Sequence, residues 1–217
     1  MPDAAHIRLL TTVELVEAHQ NGALILDTRP AEQFAAFHIR GSIQISLLGH
    51  FAAWAAMLID RERAMVLIAE DERHAREAHE RLTRVGMLHV IGYCRAIESE
   101  WHAHGIELGN IAVEHCKNVY APDSEKPPVQ LIDVRSRAEW LKGHLPGAVS
   151  LPLLELGSNK LAIDPSKPSL MYCHEGFRAM TAASILLRET GGNIGILVDG
   201  IEGWMASGFP LEMPRAS

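Results

Sequence analysis

The chain repeats itself. Leu26-Asp27-Thr28-Arg29 returns as Ile132-Asp133-Val134-Arg135, and Phe34, His38 and Gly41 return in register as Trp140, His144 and Gly147. Both halves close alike, with Trp101 before Gly105 and Trp204 before Gly208. A repeat of this span demands one supersecondary unit built twice. A chain of 217 residues is long enough for two small domains.

Each half alternates short apolar runs with helical stretches. In the first, strands are expected at 23–27, 42–46, 64–69 and 90–93, with helices at 31–37, 51–58 and 73–85. In the second, strands are expected at 130–133, 148–151, 170–173 and 194–198, with helices at 137–143 and 179–189. Strands alternating with helices imply βαβ units and a mainly parallel sheet. Continuous apolar strands fit a sheet covered on both faces. The polar, proline-rich run Pro122 to Pro128 suits a linker. The expected division is a first domain at 1–108, a linker at 109–128 and a second domain at 129–217.

Bulk properties narrow the function. Hydrophobic residues make up 47% and charged residues 22%, ordinary for a globular protein. The net charge of −7 argues against a nucleic-acid groove or an anionic membrane as partner. No apolar run approaches the roughly 18 residues that span a bilayer. Met1 to His6 lacks the basic and apolar regions of a signal peptide. Three cysteines, Cys94, Cys116 and Cys173, form no disulfide framework and fit a reducing, cytoplasmic setting. Twelve histidines include no spacing that matches a closed zinc site, so neither metal nor cofactor is expected.

The chemistry concentrates at Cys173-His174-Glu175-Gly176-Phe177-Arg178. This run follows a strand and opens a helix. Unpaired amides and the positive dipole end at a helix N-terminus favour an anion, here the Cys173 thiolate. Gly176 can take a positive φ and curl the loop amides around the sulfur. Arg178 adds a permanent cation. His174 and Glu175 lie at the mouth. A buried core cysteine is the plainer alternative.

The matching turn of the first half is Ala69-Glu70-Asp71-Glu72-Arg73-His74. It has alanine where Cys173 stands, and its acids suit a helix cap rather than an anion cup. The first half is therefore expected to be inert and to shape the cleft of the second. Cys94, expected just past the last strand, is a candidate for resolving a persulfide or a packing residue. Cys116 is expected to be partly exposed, an oxidation site with nothing nearby to activate it. Asp27 with Arg29, and Asp133 with Arg135, are expected to pair at strand ends. His38 and His144 occur in both halves and are expected to make structural hydrogen bonds, and Trp204 to anchor the core.

These residues resemble the rhodanese family of sulfurtransferases. The likeness runs through Leu131 to Arg135, Glu139-Trp140, Gly143 to Ala148, Cys173 to Arg178 and Asp199 to Trp204. The first half looks like a degenerate copy, matching at Asp27-Thr28-Arg29, His38 to Gly41 and Trp101. The resemblance implies an α/β fold of two tandem rhodanese-like domains, each a mainly parallel five-stranded sheet flanked by helices. It implies a Cys173 persulfide formed from thiosulfate or a small persulfide, passed to a thiol or cyanide. Arg178 would help hold the donor anion, and Glu175 would favour a bulkier thiol persulfide over thiosulfate. The chain is similar to the rhodanese region behind persulfide dioxygenase modules, which makes such a dioxygenase a candidate partner. The dioxygenase metal motif is absent from this sequence. A homodimer stays open.

Two other classes compete. Cysteine phosphatases share the fold, but their loop has one residue more between Cys and Arg than the four found here. A non-enzymatic sulfur relay or scaffold would hold a persulfide without turning over.

Overall fold

The protein was analysed as a computed structural model that describes residues 7–120, 129–157, 163–164 and 166–213. The chain forms two compact units, 1–110 and 111–217.

The first unit runs α1 (Thr12–Gln20), β1 (Leu24–Asp27), α2 (Ala31–Ala36), β2 (His38–Ile39), β3 (Ile43–Gln44), α3 (Phe51–Leu58), β4 (Met65–Ala69), α4 (Glu72–Arg84), β5 (Val90–Arg95), α5 (Glu98–Ala103) and β6 (Leu108–Gly109). The main sheet has the order β3-β1-β4-β5 and is parallel throughout. Every residue of β1 and β4 is buried, as in a sheet covered on both faces. Thr11 starts α1 with a capping box to Glu14.

The second unit runs β7 (Ala112–Glu114), α6 (Cys116–Val119), β8 (Gln130–Asp133), α7 (Arg137–Trp140), β9 (Val149–Ser150), a short 3-10 turn (Leu153–Glu155), β10 (Ser169–Tyr172), α8 (Phe177–Thr190), β11 (Ile194–Leu197) and α9 (Gly200–Ala206). Its sheet, β7-β11-β10-β8-β9, is also parallel.

The two sheets share one pairing pattern over four strands, β3-β1-β4-β5 matching β9-β8-β10-β11. Asp27 pairs with Ile68, and Asp133 pairs with Tyr172. This register makes Ala69 the counterpart of Cys173. The cores match too: Cys94 and Trp101 pack with Leu10 and Ile25, and Cys116 and Trp204 pack with Leu131 and Tyr172.

Two expectations need correction. The first sheet has four strands, not five. Its fifth position is taken by a single bridge, Leu9 to Tyr93, where the second unit has β7 beside β11. The expected linker at 109–128 is not a linker along its whole length. Residues 112–114 are the outer strand of the second sheet, and α6 packs against α9. Pro122 to Pro128 lie outside the described residues. A glycine makes each approach possible. A Cβ on Gly92 would come within 2.6 Å of Arg8 O, and one on Gly195 within 2.8 Å of Ala112 O. Each repeat therefore begins by laying its first residues against its own last strand.

Candidate active site

The residues shared by both halves are architectural. Asp133 takes a bidentate grip from Arg135, with Nη2 to Oδ2 at 2.6 Å, and the same guanidinium donates to Gly143 O at 2.8 Å. Asp27 and Arg29 repeat this, at 2.7 Å, with the second bond to Phe37 O at 2.9 Å. Both pairs are buried at the carboxyl end of their sheets. His144 stacks on Trp140 with ring centroids 3.4 Å apart, and His38 stacks on Phe34 at 4.0 Å. Each histidine's Nδ1 faces the carbonyl of the residue on which it stacks. Burial, set partly against the Phe34 carbonyl, depresses the pKa of His38. Trp204 is buried, and its indole N–H donates to Pro210 O at 2.8 Å.

Cys173 directly follows β10 at the carboxyl edge of the sheet, where ligands of such folds bind. It is 2% exposed. The Gly176 amide donates to its Sγ at 3.1 Å. Gly176 is the N-cap of α8, with φ of +91°, and a Cβ there would come within 3.0 Å of Val198 O. Of the expected cup of loop amides, Gly176 N–H is the donor within hydrogen-bond reach of the sulfur among the described residues. His174, Glu175 and Phe177 are exposed around the buried thiol.

The floor of the loop is α9. Ile201 N–H donates to Cys173 O at 2.9 Å, and Glu202 N–H approaches His174 O at 3.5 Å. Gly200 has φ of +58°, and a Cβ on it would collide with the His174 carbonyl. Asp199, just before it, accepts from the Cys116 amide at 2.9 Å and faces His115 Nδ1 at 2.9 Å. Burial opposes the Asp199 charge, but these partners outweigh it and hold the carboxyl below its usual pKa.

Arg178 departs from expectation. Its Nη1 and Nη2 donate to the two oxygens of Glu139, each at 2.8 Å. Glu139 also accepts from the Ser136 hydroxyl at 2.7 Å and the Ser136 amide at 2.9 Å, closing a capping box on α7. Arg178, with Ser136 behind it, drives the Glu139 carboxyl far below the ordinary carboxylate range. Two of the guanidinium's five N–H donors are thus taken by a carboxylate. Planar bidentate matching explains the pairing.

The other two cysteines are packing residues. Cys94 lies inside β5, not past it, and donates to Leu10 O at 3.2 Å. Cys116 is 1% exposed, not partly open, and donates to Gly200 O at 3.5 Å. Burial pushes both thiols up to about 12.

The first-half turn carries no such site. Asp71 accepts from His74 N–H at 2.8 Å and caps α4, which lowers its carboxyl pKa. Gln33, which stands where Glu139 does in the other half, donates to Glu70 at 2.6 Å. Among the described residues, no group of three or more His, Cys, Asp or Glu is placed to hold a metal ion.

Sequence reasoning missed Glu139 as the partner of Arg178, and Glu202 as the neighbour of His174. The Ser136-x-x-Glu139 capping motif was the available signal for the first. Nothing local announced the second.

This geometry is that of a cysteine loop at a strand-to-helix turn on a duplicated α/β scaffold. Rhodanese-like domains match residues 11–101 and 117–207, so the chain belongs to the rhodanese-like domain family. A sulfurtransferase of Allochromatium vinosum is 30% identical over 87 residues, covering 40% of this chain and 81% of the relative. Thiosulfate sulfurtransferase GlpE of Coxiella burnetii is 27% identical over 82 residues, covering 38% of this chain and 77% of the relative. An HTH-type transcriptional regulator of Mycobacterium tuberculosis is 29% identical over 89 residues, 41% of this chain, and the match spans only 39% of that relative's length. No helix among the described residues is long and apolar enough to cross a membrane.

Proposed function

We propose that the second unit is a sulfurtransferase in which Cys173 carries sulfane sulfur as a persulfide. The observation that carries this reading is the Cys173–Gly176 contact: a thiol at a strand end, with a helix N-cap amide 3.1 Å from its sulfur. Preorganised dipoles of this kind stabilise a sulfur anion without reorganising.

The chemistry follows. The Cys173 thiolate attacks the outer sulfur of a donor such as thiosulfate or a small persulfide. The donor's S–S bond breaks, sulfite or the donor thiolate leaves with the electron pair, and Cys173 keeps the outer sulfur as a persulfide anion. An acceptor such as cyanide or a thiolate then attacks that sulfur, and its pair returns to Cys173. This is a two-stage covalent mechanism. A sulfur so deeply set admits a projecting terminal atom more readily than a bulky group. Loop residues His174, Glu175 and Phe177 border the entry. Arg178, tied to Glu139, holds the loop.

The pairing of Arg178 with Glu139 also disfavours the phosphatase reading, which needs that guanidinium for phosphate. The first unit, with Ala69 in place of the cysteine, is read as non-catalytic. We place the protein in a reducing, cytoplasmic setting with small sulfur donors and thiol acceptors as its partners and a persulfide dioxygenase as its functional partner.

Mass spectrometry after incubation with thiosulfate or glutathione persulfide tests the reading. One added sulfur on the native protein, absent from Cys173→Ser, is expected. Repeated turnover with a small acceptor separates an enzyme from a single-use relay. Hydrolysis of aryl phosphates without any sulfur transfer would overturn the assignment.

A further inference from the structure

The structure pairs a histidine beside the nucleophile with a carboxylate that no comparison assigns a role. His174 Nε2 lies 2.9 Å from Glu202 Oε1. The two residues also meet through the backbone, Glu202 N–H approaching His174 O at 3.5 Å. Gly200, whose Cβ would strike the same carbonyl, lets α9 come this close. The histidine following Cys173 is thus held at both its main chain and its ring by the first turn of one helix.

We propose that Glu202 is a positioning residue that sets His174 to accept the proton of an incoming acceptor thiol. This rests on the reading of Cys173 as a persulfide carrier and adds the step that reading lacks. A carboxylate beside Nε2 favours the proton there and leaves Nδ1 as the free acceptor. Carboxylates orient catalytic and metal-bound histidines in the same manner. As a stabilising contact, a half-exposed pair of this kind is worth little. Its place one residue from the nucleophile gives it another use.

The step balances. The acceptor R–SH gives its proton to His174 and becomes R–S⁻. The thiolate attacks the outer sulfur of the Cys173 persulfide anion. A new S–S bond forms, the bond to Cys173 breaks, and the electron pair stays on Cys173. The products are R–S–S⁻, the Cys173 thiolate and protonated His174, which releases its proton to solvent. A thiol needs this help near neutral pH because its own pKa is about 8.5. Sulfite does not, since near neutral pH a large part of it is already the nucleophilic dianion, which regenerates thiosulfate directly.

The test uses the full chain, persulfidated on Cys173 and verified by mass spectrometry, then mixed with cysteine or with sulfite in rapid-quench experiments. In Glu202→Gln the ratio of the cysteine rate to the sulfite rate is expected to fall about tenfold at pH 7, the usual size of such second-sphere losses. The deficit should close as pH rises past about 8.5, because the acceptor then arrives already ionised. His174→Gln should show the same pattern, and the double variant should be no worse than His174→Gln alone. An unchanged ratio, equal loss with both acceptors, or a deficit independent of pH overturns the proposal. If the native chain never acquires sulfur on Cys173, the underlying reading fails, and this one fails with it. That outcome is visible before any acceptor is added.

Discussion

Glu139 holds both terminal guanidinium nitrogens of Arg178 at 2.8 Å, binding the start of α8 behind the cysteine loop to α7. The pair lies 39 residues apart in sequence and closes the loop as a hydrogen-bonded clasp. Glu139→Gln should cost about 1–2 kcal/mol at neutral pH, as charge-assisted bonds are replaced by a neutral one. The pH dependence has a definite sign. The folded carboxyl titrates below its unfolded value of 4.5, so its contribution is complete above that pH and is lost as pH falls through the folded value. Urea unfolding of the native and variant chains should show the gap narrowing below pH 4.5. A gap that stays constant down to pH 3 would remove the Glu139 charge from the explanation.

Cysteine reactivity should separate cleanly. Cys94 and Cys116 have thiols pushed up to about 12 by burial. Iodoacetamide at pH 8 should modify Cys173 first in the native chain, and the other two only after denaturation. Peptide mapping reads this directly. Native-state labelling of Cys94 at a rate similar to Cys173 would reopen a redox role for it.

The Asp–Arg pairs should be equally costly to break in both repeats. Arg135→Met leaves Asp133 charged and buried without its partner, and Arg29→Met does the same to Asp27. Each should cost about 3–5 kcal/mol. Replacing both members of a pair with apolar residues should cost much less. Denaturant midpoints of the single and double variants form the test, and a mild single variant would argue that water reaches the carboxylate.

Crowding at Gly195 should release the start of the second unit. A Cβ there meets Ala112 O at 2.8 Å and Leu170 Cδ2 at 2.9 Å. Gly195→Val should cost about 1–3 kcal/mol through overpacking. Amide hydrogen exchange across 112–114 should accelerate more than exchange in β8. Uniform acceleration would indicate general loosening instead.

Much of this was legible in the sequence, for physical reasons. β1, β4 and β10 are mostly apolar runs, and their burial follows from parallel pairing under helices. The α3 boundaries at Phe51–Leu58 also emerged as expected. The duplicated histidines gave away a structural role, because a general base has no use in a half that carries Ala69 in place of the cysteine. β7 stayed hidden because it is three residues long and mostly exposed, with no apolar run to mark it. The matched glycines, Gly92 and Gly195, were the usable clue, since a bare residue in the last strand of each repeat signals a close backbone neighbour. The partnership of Glu139 with Arg178 escaped because it joins the first turns of two helices, α7 and α8, that only the folded sheet brings together.

The glycine-assisted entry of β7 decides where this chain can be divided. A fragment started at residue 129 would lose that outer strand and the Cys116 amide that anchors Asp199. It would expose one bare flank of β11, an invitation to cross-molecule strand addition. A fragment holding the second unit alone therefore has to be cut upstream of Ala112, with its opening strand left attached.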